Sequence, residues 1–402
     1  MSRVIFINRF YWPDETATAQ LLRDLAEGLA ARGRSVTVIT SCPAAAPQSE
    51  IRRGVDIERV RSTRGDGGAS LTRKAFDLGS FYAAALWQLA RRARRGDSVV
   101  ALTDPPLIGT GAWLIARLRR AECYQWVQDI YPEIATALTG SIGLRWLRIP
   151  RNWAWRGSQA CVTLGEDMAK VLTAAGVSPA KIHVVANWSP ACPRAAEASA
   201  ISALRQSWNL EGKFVLIYSG NLGRVHDLAP VLDVAAALRD QEKIVFLFVG
   251  AGPQRRELEA EAGRRQLPQV QFRPPQPREN LAAVLALGDV HLVTLRAGCE
   301  RYVFPSKLYG AAASGRPVIF LGASNAEVAR VIAREGFGYA FDRGQVPDFA
   351  RTLIELSQNP GLRDKLSRRA LQFAALAPAT SAIERWDGIL KDPNFPPSLD
   401  DN

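Results

Sequence analysis

A glycine-bearing segment in the second half of the sequence, residues 296–315, combines residue types suited to binding a phosphate group. It follows an apolar run at residues 290–295 and precedes a second apolar run at residues 318–321. This pattern predicts a strand, a loop, a short helix of small residues and a second strand. In such a unit the loop after the first strand and the amides of the following helix form a site for an anion. The segment therefore predicts a ligand that carries phosphate.

A second glycine-rich turn lies earlier in the same half and follows another apolar run. It holds Gly220, Asn221, Gly223 and Arg224. Glycines let the backbone approach an oxyanion, and an arginine can give a phosphate two parallel hydrogen bonds. By itself this pattern is unspecific. Together with the segment at 296–315, it favours one phosphate-binding domain.

Both halves of the chain alternate short apolar runs with helical patterns, which indicates two α/β domains with parallel sheets. We predict domains at residues 1–195 and 204–375, joined by a linker rich in Pro, Ala and Ser at 189–203. The second domain is predicted to end in one long helix over 347–375. Residues 376–402 are predicted to form a helix that packs back on the first domain, followed by a frayed tail.

The loop after the first predicted strand, residues 8–20, differs from a dinucleotide-binding loop. It lacks the GxGxxG pattern that holds a dinucleotide pyrophosphate, so the sequence argues against NAD binding. Its polar residues include Tyr11, Asp14 and Thr16. Asp14 and Thr16 could simply cap the following helix, and a capping role is compatible with a role in binding.

Two acidic residues, Asp129 and Glu133, follow the apolar strand pattern at residues 123–128. A strand end is where a doubly wound fold places its ligands. The alternative is that both are solvated carboxylates that complement the dipole at a helix start. The sequence leaves both interpretations open.

The overall charge predicts an acidic partner. The 402 residues carry a formal net charge of +12, which favours a nucleotide, a polyprenyl pyrophosphate or an anionic membrane surface. No helix-turn-helix, zinc-finger or RRM pattern is present, so we expect no nucleic acid. The five cysteines are odd in number and lack a CxxC pair, and no DxD motif lies at a strand end, so we expect neither a disulfide framework nor a metal.

Residues 81–156 mix tryptophans with basic runs and form the densest such region at 145–156. Tryptophan with arginine on one element is typical of a helix at a membrane surface. The alternative is an amphipathic helix with core tryptophans and solvated arginines. Because no apolar run is long enough to cross a bilayer and the first residues enter a strand at once, we predict a cytoplasmic protein, peripheral on the inner face of the cytoplasmic membrane.

Several segments resemble a known family. Glu300, five residues before Pro305, and the string VFPSKLYG…ASGRPV resemble the donor segment of retaining GT-B glycosyltransferases of family 4. The strings YWPDETATAQ, VQDIYPE and VGAGP are similar to other parts of that family. The resemblance is to the L-fucosamine and colanic-acid type transferases of bacterial exopolysaccharide and O-antigen assembly. It implies two Rossmann-like domains whose parallel sheets face an interdomain cleft.

The resemblance also implies roles for individual residues. The implied donor-binding residues are Gly220, Asn221, Gly223, Arg224, Gly250, Gly252, Arg273, Glu300, Phe304, Pro305, Ser306, Lys307 and Leu308. The implied acceptor-side residues are Tyr11, Asp14, Thr16, Asp129 and Glu133. For catalysis, Arg224 and Lys307 would neutralise the leaving phosphate, Glu300 would orient the donor sugar, and Asp129 would position the acceptor. The chain departs from the family where a second glutamate would fall, near Tyr309 and Gly310, and at Asn221, where relatives carry a basic residue.

The resemblance predicts an enzyme that moves a sugar, such as an N-acetylated hexosamine or deoxyhexose, from a UDP-linked donor. The predicted acceptor is a polyprenyl-diphosphate-linked saccharide, and no cofactor or metal is expected. One alternative is a nonhydrolysing UDP-sugar 2-epimerase. That enzyme would need additional carboxylate and histidine residues in the cleft, and the sequence has three histidines. Another is a non-catalytic nucleotide-sugar-binding subunit, because the second glutamate is missing.

Overall fold

The computed structural model describes residues 3–43, 46–62, 71–189 and 196–396. The chain divides into two compact units: unit 1 comprises residues 1–187 and 379–402, and unit 2 comprises residues 188–378. Part of the predicted linker, 190–195, and the end of the predicted tail, 397–402, lie outside the described residues. Cys192 lies there too, whereas the four described cysteines, Cys42, Cys123, Cys161 and Cys299, are free thiols.

The described strands form one sheet in each unit. Those of unit 1 are β1 (Val4–Ile7), β2 (Val36–Ser41), β3 (Ser49–Arg52), β4 (Val55–Val60), β5 (Ser98–Ala101), β6 (Glu122–Val127), β7 (Ala160–Thr163) and β8 (Ile182–Val184). Those of unit 2 are β9 (Phe214–Ser219), β10 (Ile244–Val249), β11 (Val270–Arg273), β12 (Val290–Thr294), β13 (Val318–Leu321) and β14 (Gly338–Phe341).

Helices follow most of these strands. In the first part of unit 1 they are α1 (Ala17–Ala31), α2 (Leu71–Arg92), α3 (Ile108–Arg119), α4 (Glu133–Thr139), the 3-10 helix η1 (Ile142–Leu147), α5 (Arg148–Gly157), α6 (Glu166–Ala174) and η2 (Pro179–Lys181). Unit 2 has α7 (Ala198–Ser207), α8 (Ala229–Ala237), α9 (Arg255–Arg264), η3 (Arg278–Asn280), α10 (Leu281–Leu287), α11 (Lys307–Ala313), α12 (Glu327–Glu335), α13 (Val346–Gln358) and α14 (Pro360–Leu376), and α15 (Ala379–Lys391) returns to unit 1.

The order of the strands sets where each sheet can bind a ligand. The sheet of unit 1 runs β3-β4-β2-β1-β5-β6-β7-β8 and that of unit 2 runs β11-β10-β9-β12-β13-β14. In each sheet the chain builds outward on one side of a central strand and then on the other. The order therefore reverses between β1 and β5 in unit 1 and between β9 and β12 in unit 2. In open α/β sheets ligands bind beyond the carboxyl ends of the strands at this switch point.

The prediction of two α/β domains is confirmed, with one difference in unit 1. The pairing of its sheet is parallel except that β3 runs antiparallel to β4, with Arg52 opposite Val55. The two residues between them, Arg53 and Gly54, both have positive φ angles, 47° and 79°. A two-residue turn of this kind matches the twist of a hairpin, so the local turn makes this edge pair antiparallel.

The sheet of unit 2 is buried on both faces, as its continuous apolar strands require. On one face, side chains such as Leu216, Phe246 and Phe248 form a large core cluster with Leu232 and Leu353 from α8 and α13. On the other face, Val215 and Ile217 pack with residues of α7 and α10. Packing between helices on both faces makes the sheet rigid and fixes the positions at which the loops leave the strand ends.

The long helix predicted over 347–375 is wrong, because the chain forms two helices there. α13 ends at Gln358 and α14 begins at Pro360. A proline is disfavoured inside a helix but suits its first turn. Asn359 caps α14, with its Oδ1 accepting a hydrogen bond from the amide of Leu362 at 3.0 Å. The Asn-Pro pair carries this signal in the sequence.

The last helix, α15, packs on α1 within unit 1. Gly28 of α1 allows the close contact, because a β-carbon there would lie 2.5 Å from Cδ1 of Ile383. Arg34 Nε donates to Asp387 Oδ1 at 2.7 Å, and the rings of Trp386 and Trp126 lie 5.1 Å apart. The end of the chain therefore adds to the core of the first unit.

Candidate active site

In unit 2 the loops after β9 and β12 meet at the switch point. The amide of Arg296 donates to the carbonyl of Val225 at 2.8 Å. The His226 ring nitrogen Nδ1 lies 2.7 Å from the carbonyl oxygen of Thr294. These two contacts fix the first loop, which contains Gly220 to Arg224, against the end of β12.

Glycines are required where the backbone segments of this site approach each other. Gly250 and Gly252 have φ angles of 148° and 150°, which residues with a side chain rarely adopt. A β-carbon on Gly250 would lie 2.0 Å from the carbonyl oxygen of Gly220, and one on Gly252 would lie 2.6 Å from that of Leu222. The turns after β9 and β10 therefore form one compact floor.

Lys307, the first residue of α11, extends its side chain across this floor. Its Nζ lies 3.0 Å from Nε2 of His226 and 5.2 Å from the centre of the Tyr218 ring. A β-carbon on Gly220 would lie 2.8 Å from Cε of Lys307, so glycine at 220 leaves room for the lysine. Within the described ranges, no ion pair joins Lys307 to a carboxylate. Burial lowers the pKa of Lys307 to about 8.

The other predicted donor residues of the two loops differ in exposure. Asn221 and Arg224 are exposed, Glu300 and Ser306 are partly exposed, and Leu308 is fully buried. The exposed guanidinium of Arg224 is therefore accessible to a ligand that enters from solvent.

Three of the predicted donor-side residues are buried or have structural contacts. Phe304 packs against Tyr309 with the ring centres 5.9 Å apart, and the neighbouring Pro305 is buried with it. The guanidinium of Arg273 donates to the Trp208 carbonyl at 3.3 Å and to Gln271 Oε1 at 3.0 Å. Because these contacts occupy its guanidinium, Arg273 contributes to the architecture after β11.

In unit 1 the switch point brings carboxyl groups together. The amide of Arg9, after β1, donates to the carbonyl of Asp104, after β5, at 2.7 Å. The amide of Asp129, after β6, donates to Thr103 Oγ1 at 3.2 Å. Burial and, to a smaller extent, the charge of Asp104 raise the pKa of Asp129 to about 7.

Asp104 itself is perturbed in the same direction. Burial raises its pKa to about 6, with Arg9 opposing the shift and Asp14 adding to it. Two interacting carboxyl groups with raised pKa values tend to hold a proton near neutral pH. The pair can therefore accept a hydrogen bond or a proton from an incoming hydroxyl group.

Asp129 also lines a small cavity. The cavity is lined by residues that include Thr103, Gln125, Asp129, Tyr131 and Trp155.

The remaining acceptor-side predictions have structural contacts. Tyr11 is buried, and burial raises the pKa of its phenol above the usual range. Asp14 donates its amide to the carbonyl of Tyr11 at 2.7 Å. Thr16 is the N-cap of α1, with its Oγ1 accepting from the amide of Ala19 at 3.3 Å. The capping alternative is thus observed for Thr16.

Glu133 departs from its predicted role. Its carboxylate is buried and forms ion pairs with Arg148, at 3.0 Å, and with Arg151. Arg151 also donates to the carbonyl of Tyr131 at 2.7 Å. Both oxygens of Glu133 therefore face arginines of α5, and the residue anchors α4 to α5.

Two residues of these sites are more prominent in the structure than in the sequence. For His226 the sequence leaves open a role beside the diphosphate and a surface role, and the structure shows it buried and in contact with Lys307. Asp104 is not among the predicted site residues, although it lies at the switch point and its charge acts on Asp129. For both residues, the sequence signal was their position in a loop that follows a central strand.

The six tryptophans of the segment at 81–156 differ in exposure: Trp113 is partly buried, and Trp87 on α2 is 66% exposed. Trp126 and Trp155 are core residues, whereas Trp146 and Trp153 are 75% and 58% exposed. Ile142, Leu147 and Ile149 are exposed beside them on η1 and α5, as are Arg145 and Arg156. We call these seven exposed residues the α5 surface. Across the ranges that the structure describes, no helix is both long enough and apolar enough to span a bilayer.

The histidines and acidic residues do not form a metal-binding group in the described part of the chain. His183 lies 3.0 Å from the carbonyl of Pro393, and His291 lies 2.9 Å from that of Leu285. These contacts are those of structural histidines.

Each of the two units matches a known protein family. Residues 16–188 match the family model described as "Glycosyl transferase 4-like domain", and residues 201–373 match "Glycosyl transferases group 1". The putative colanic acid biosynthesis glycosyl transferase WcaI of Escherichia coli is 28% identical over 344 residues, which cover 80% of this chain and 83% of that protein. The probable glycosyltransferase WbjE of Pseudomonas aeruginosa is 26% identical over 377 residues, 89% of this chain and 90% of that one.

A solved structure shows the same fold over nearly the whole chain. The crystal structure of Anabaena Alr3699/HepE in complex with UDP and glucose has a TM-score of 0.76 at 16% identity, with 98% of this chain and all of that chain covered. The fold of the two units is therefore the GT-B fold. The two family models match one unit each and together span most of the sequence, so the chain is a glycosyltransferase with a 4-like domain in unit 1 and a group 1 domain in unit 2.

Proposed function

We propose that this enzyme transfers a sugar, with retention of configuration, from a UDP-linked donor to a polyprenyl-diphosphate-linked saccharide during exopolysaccharide or O-antigen synthesis. The observation that carries the proposal is the ammonium group of Lys307. It lies at the switch point of unit 2, and no carboxylate pairs with it in the described part of the chain. A partly buried cation of this kind is stabilised by an anionic ligand, and the donor diphosphate is such a ligand.

The donor side follows from this assignment. The diphosphate would lie on the floor formed by Gly220, Gly250 and Gly252, with Lys307 and the exposed Arg224 neutralising the charge that develops on the leaving phosphate. Glu300 would accept hydrogen bonds from hydroxyl groups of the sugar and orient its ring. That HepE was solved with UDP and glucose supports a UDP-linked donor.

The acceptor side is assigned to the carboxyl pair of unit 1. Asp129, assisted by Asp104, would accept a hydrogen bond from the acceptor hydroxyl and aim it at the anomeric carbon. The hydroxyl oxygen forms the new glycosidic bond while the bond to the diphosphate breaks, and the hydroxyl proton passes to the leaving phosphate or to the carboxyl pair. We propose that no metal or other cofactor takes part, so activity should be unchanged by EDTA.

The acceptor class is supported by the surface of unit 1 and by the relatives. The α5 surface combines exposed Trp146 and Trp153 with Arg145 and Arg156, which is a composition that suits the interface of an anionic membrane. A lipid-linked saccharide is held at such an interface. The name of the E. coli relative, a colanic acid transferase, agrees with polysaccharide synthesis. We propose that the enzyme is peripheral on the inner face of the cytoplasmic membrane.

The proposal is tested by incubating the enzyme with UDP-sugars, with and without a lipid-linked saccharide extract. We expect UDP release that depends on the acceptor and a product enlarged by one sugar. A binding subunit would release no UDP, and an epimerase would change the UDP-sugar without an acceptor.

A substitution tests the donor assignment. Glu300→Ala should lower transfer strongly, by about 10²-fold, because the sugar loses its orienting group. The matched control is Glu335→Ala on α12, since this carboxylate pairs only with the exposed Arg334 at 2.8 Å among the recorded ion pairs. Full transfer activity of Glu300→Ala would contradict the assignment.

A further inference from the structure

The imidazole of His226 lies between a backbone carbonyl and the ammonium group of Lys307. Its Nδ1 is 2.7 Å from the Thr294 carbonyl oxygen, and its Nε2 is 3.0 Å from Lys307 Nζ. The residue is 6% exposed. Both ring nitrogens are thus engaged in contacts of hydrogen-bond length.

These two contacts determine the protonation of the ring. A carbonyl oxygen only accepts hydrogen bonds, so Nδ1 must carry a proton and donate a hydrogen bond to the carbonyl oxygen of Thr294. An ammonium group only donates, so Nε2 must be unprotonated and accept from Lys307. The ring is therefore the neutral Nδ1–H tautomer. Burial and the charge of Lys307 both favour the neutral ring, and they lower the pKa of His226 to about 3.

The surroundings of Lys307 are correspondingly neutral. The two titratable side chains recorded against it are His226, from the loop after β9, and Tyr218, from β9 itself. Burial raises the pKa of Tyr218 well above its usual range, so the phenol stays uncharged. Lys307 thus has one recorded hydrogen-bond acceptor in the described chain and keeps two ammonium protons for a ligand.

We propose that His226 is a positioning residue, whose neutral ring accepts a hydrogen bond from Lys307 and aims the remaining ammonium protons at the diphosphate of the donor. This role rests on the proposed function of the same site. It differs from direct phosphate binding by His226, because neither ring nitrogen is left to donate to an oxyanion.

A carboxylate in place of His226 would also hold the lysine, but it would neutralise the charge that the diphosphate needs. A neutral acceptor fixes the direction of the ammonium group and leaves its charge available. The Tyr218 ring lies 5.7 Å from the His226 ring at a steep angle of 71°, which helps to keep the imidazole in place.

Two amide substitutions separate the contacts. In His226→Asn the short amide reaches the position of Nδ1, so it keeps the Thr294 contact and loses the lysine. In His226→Gln the longer amide reaches the position of Nε2, and its carbonyl oxygen can accept from Lys307. The probe is UDP, with GDP and dTDP as parallel ligands, titrated by calorimetry into the full-length enzyme between pH 6.5 and 9.

We expect His226→Asn to bind UDP about 10-fold to 100-fold more weakly than the wild type, since a hydrogen bond to a charged group is lost. We expect His226→Gln to stay within about threefold of the wild type. Wild-type affinity should fall above about pH 8, where Lys307 loses its proton. In His226→Asn this fall should begin at lower pH, because the acceptor that stabilises the ammonium form is gone.

Equal affinity and an equal pH profile for His226→Asn and the wild type would overturn the positioning role while leaving the proposed function intact. Equal losses for the Asn and Gln variants, with lower melting temperatures in both, would also overturn it in favour of a packing role. If the wild type binds none of the three nucleotides, the proposed function fails and the positioning role fails with it.

A measurement on the unmodified enzyme does not depend on how the variants fold. The 15N NMR shifts of the His226 ring should report a protonated Nδ1 and an unprotonated Nε2 throughout pH 5.5 to 8. A ring that titrates near its ordinary pKa of about 6.5 would contradict the inference.

Discussion

The two units share one architecture and differ in the charge that each places at its switch point. In unit 2 the loops after β9 and β12 surround the ammonium group of Lys307 with neutral groups. In unit 1 the loops after β1, β5 and β6 bring Asp104 and Asp129 together, and the pKa values of both are raised. The same backbone plan thus places a lysine at the switch point of one unit and a pair of carboxyl groups at that of the other.

This difference fits a division of labour. Lys307, which has no carboxylate partner among the described residues, suits the anionic end of a nucleotide-sugar. A carboxyl pair that keeps a proton near neutral pH suits a hydroxyl group, which must be oriented and relieved of its proton. The strand order fixes where a ligand binds, and the few side chains after the central strands determine which ligand it is.

The largest effect is expected from removing the cation of unit 2. Lys307→Met keeps the length of the side chain and should lower sugar transfer by about 10³-fold, because the leaving diphosphate loses its buried positive charge. The rate is measured as UDP release with a lipid-linked acceptor. Lys365→Met, on the exposed side of α14, is the matched control and should keep wild-type activity. If Lys307→Met lowered the transfer rate by less than about threefold, the proposed difference in function between the two units would be contradicted.

The next largest effect is expected from the carboxyl pair of unit 1. Asp129→Asn should lower transfer by about 10²-fold, at the low end for a group that handles a proton, because Asp104 remains. UDP affinity should not change, since the substitution lies in the other unit. A variant that loses UDP binding and transfer in parallel would show that the acceptor assignment of Asp129 is wrong.

The α5 surface should give a smaller effect. Replacing both Trp146 and Trp153 by Ala removes two exposed aromatic rings and should weaken sedimentation with vesicles of anionic phospholipid by about tenfold. Leu376→Ala is the control, because Leu376 is 73% exposed on unit 2 and should have no effect. Undiminished vesicle binding by the double variant would place membrane contact elsewhere or exclude it.

The smallest effect concerns stability. The raised pKa of Asp129, about 7 against an ordinary value of 3.8, means that its ionised form destabilises the folded state. This penalty is absent below about pH 4, grows as the pH rises to 7, and is constant above it. Asp129→Asn should therefore unfold at a temperature about 2–4 °C higher at pH 8, after discounting for partial solvent exposure. The gain should disappear near pH 4, and a loss of stability at pH 8 would contradict the assignment.

Much of the donor side was predictable because its signals are local. The apolar runs on either side of residues 296–315 identified the strands β12 and β13, and the small residues between them identified α11. Lys307 followed from this pattern and from the family resemblance. Local residues with well-defined backbone preferences also determine two other features. They are the helix break at Asn359 and Pro360 and the hairpin turn at Arg53 and Gly54.

The rest depended on contacts between distant parts of the chain. His226 and Lys307 are 81 residues apart, and their contact follows only when β9 and β12 are known to be neighbours. The coupling of Asp104 to Asp129 needs β5 and β6 to be adjacent, and no periodicity in the sequence specifies that order. Glu133 looked like a site residue from its position, but its burial against Arg148 and Arg151 is a property of packing.

The central claim is that Lys307 receives the diphosphate of the donor. The most direct test compares the affinities of UDP and uridine for the wild type and for Lys307→Met, by calorimetry at pH 7. We predict that the wild type binds UDP at least about 100-fold more tightly than uridine, and that the substitution removes most of this difference while leaving uridine binding unchanged. If Lys307→Met keeps the full preference for UDP over uridine, the diphosphate does not lie at Lys307 and the account is contradicted.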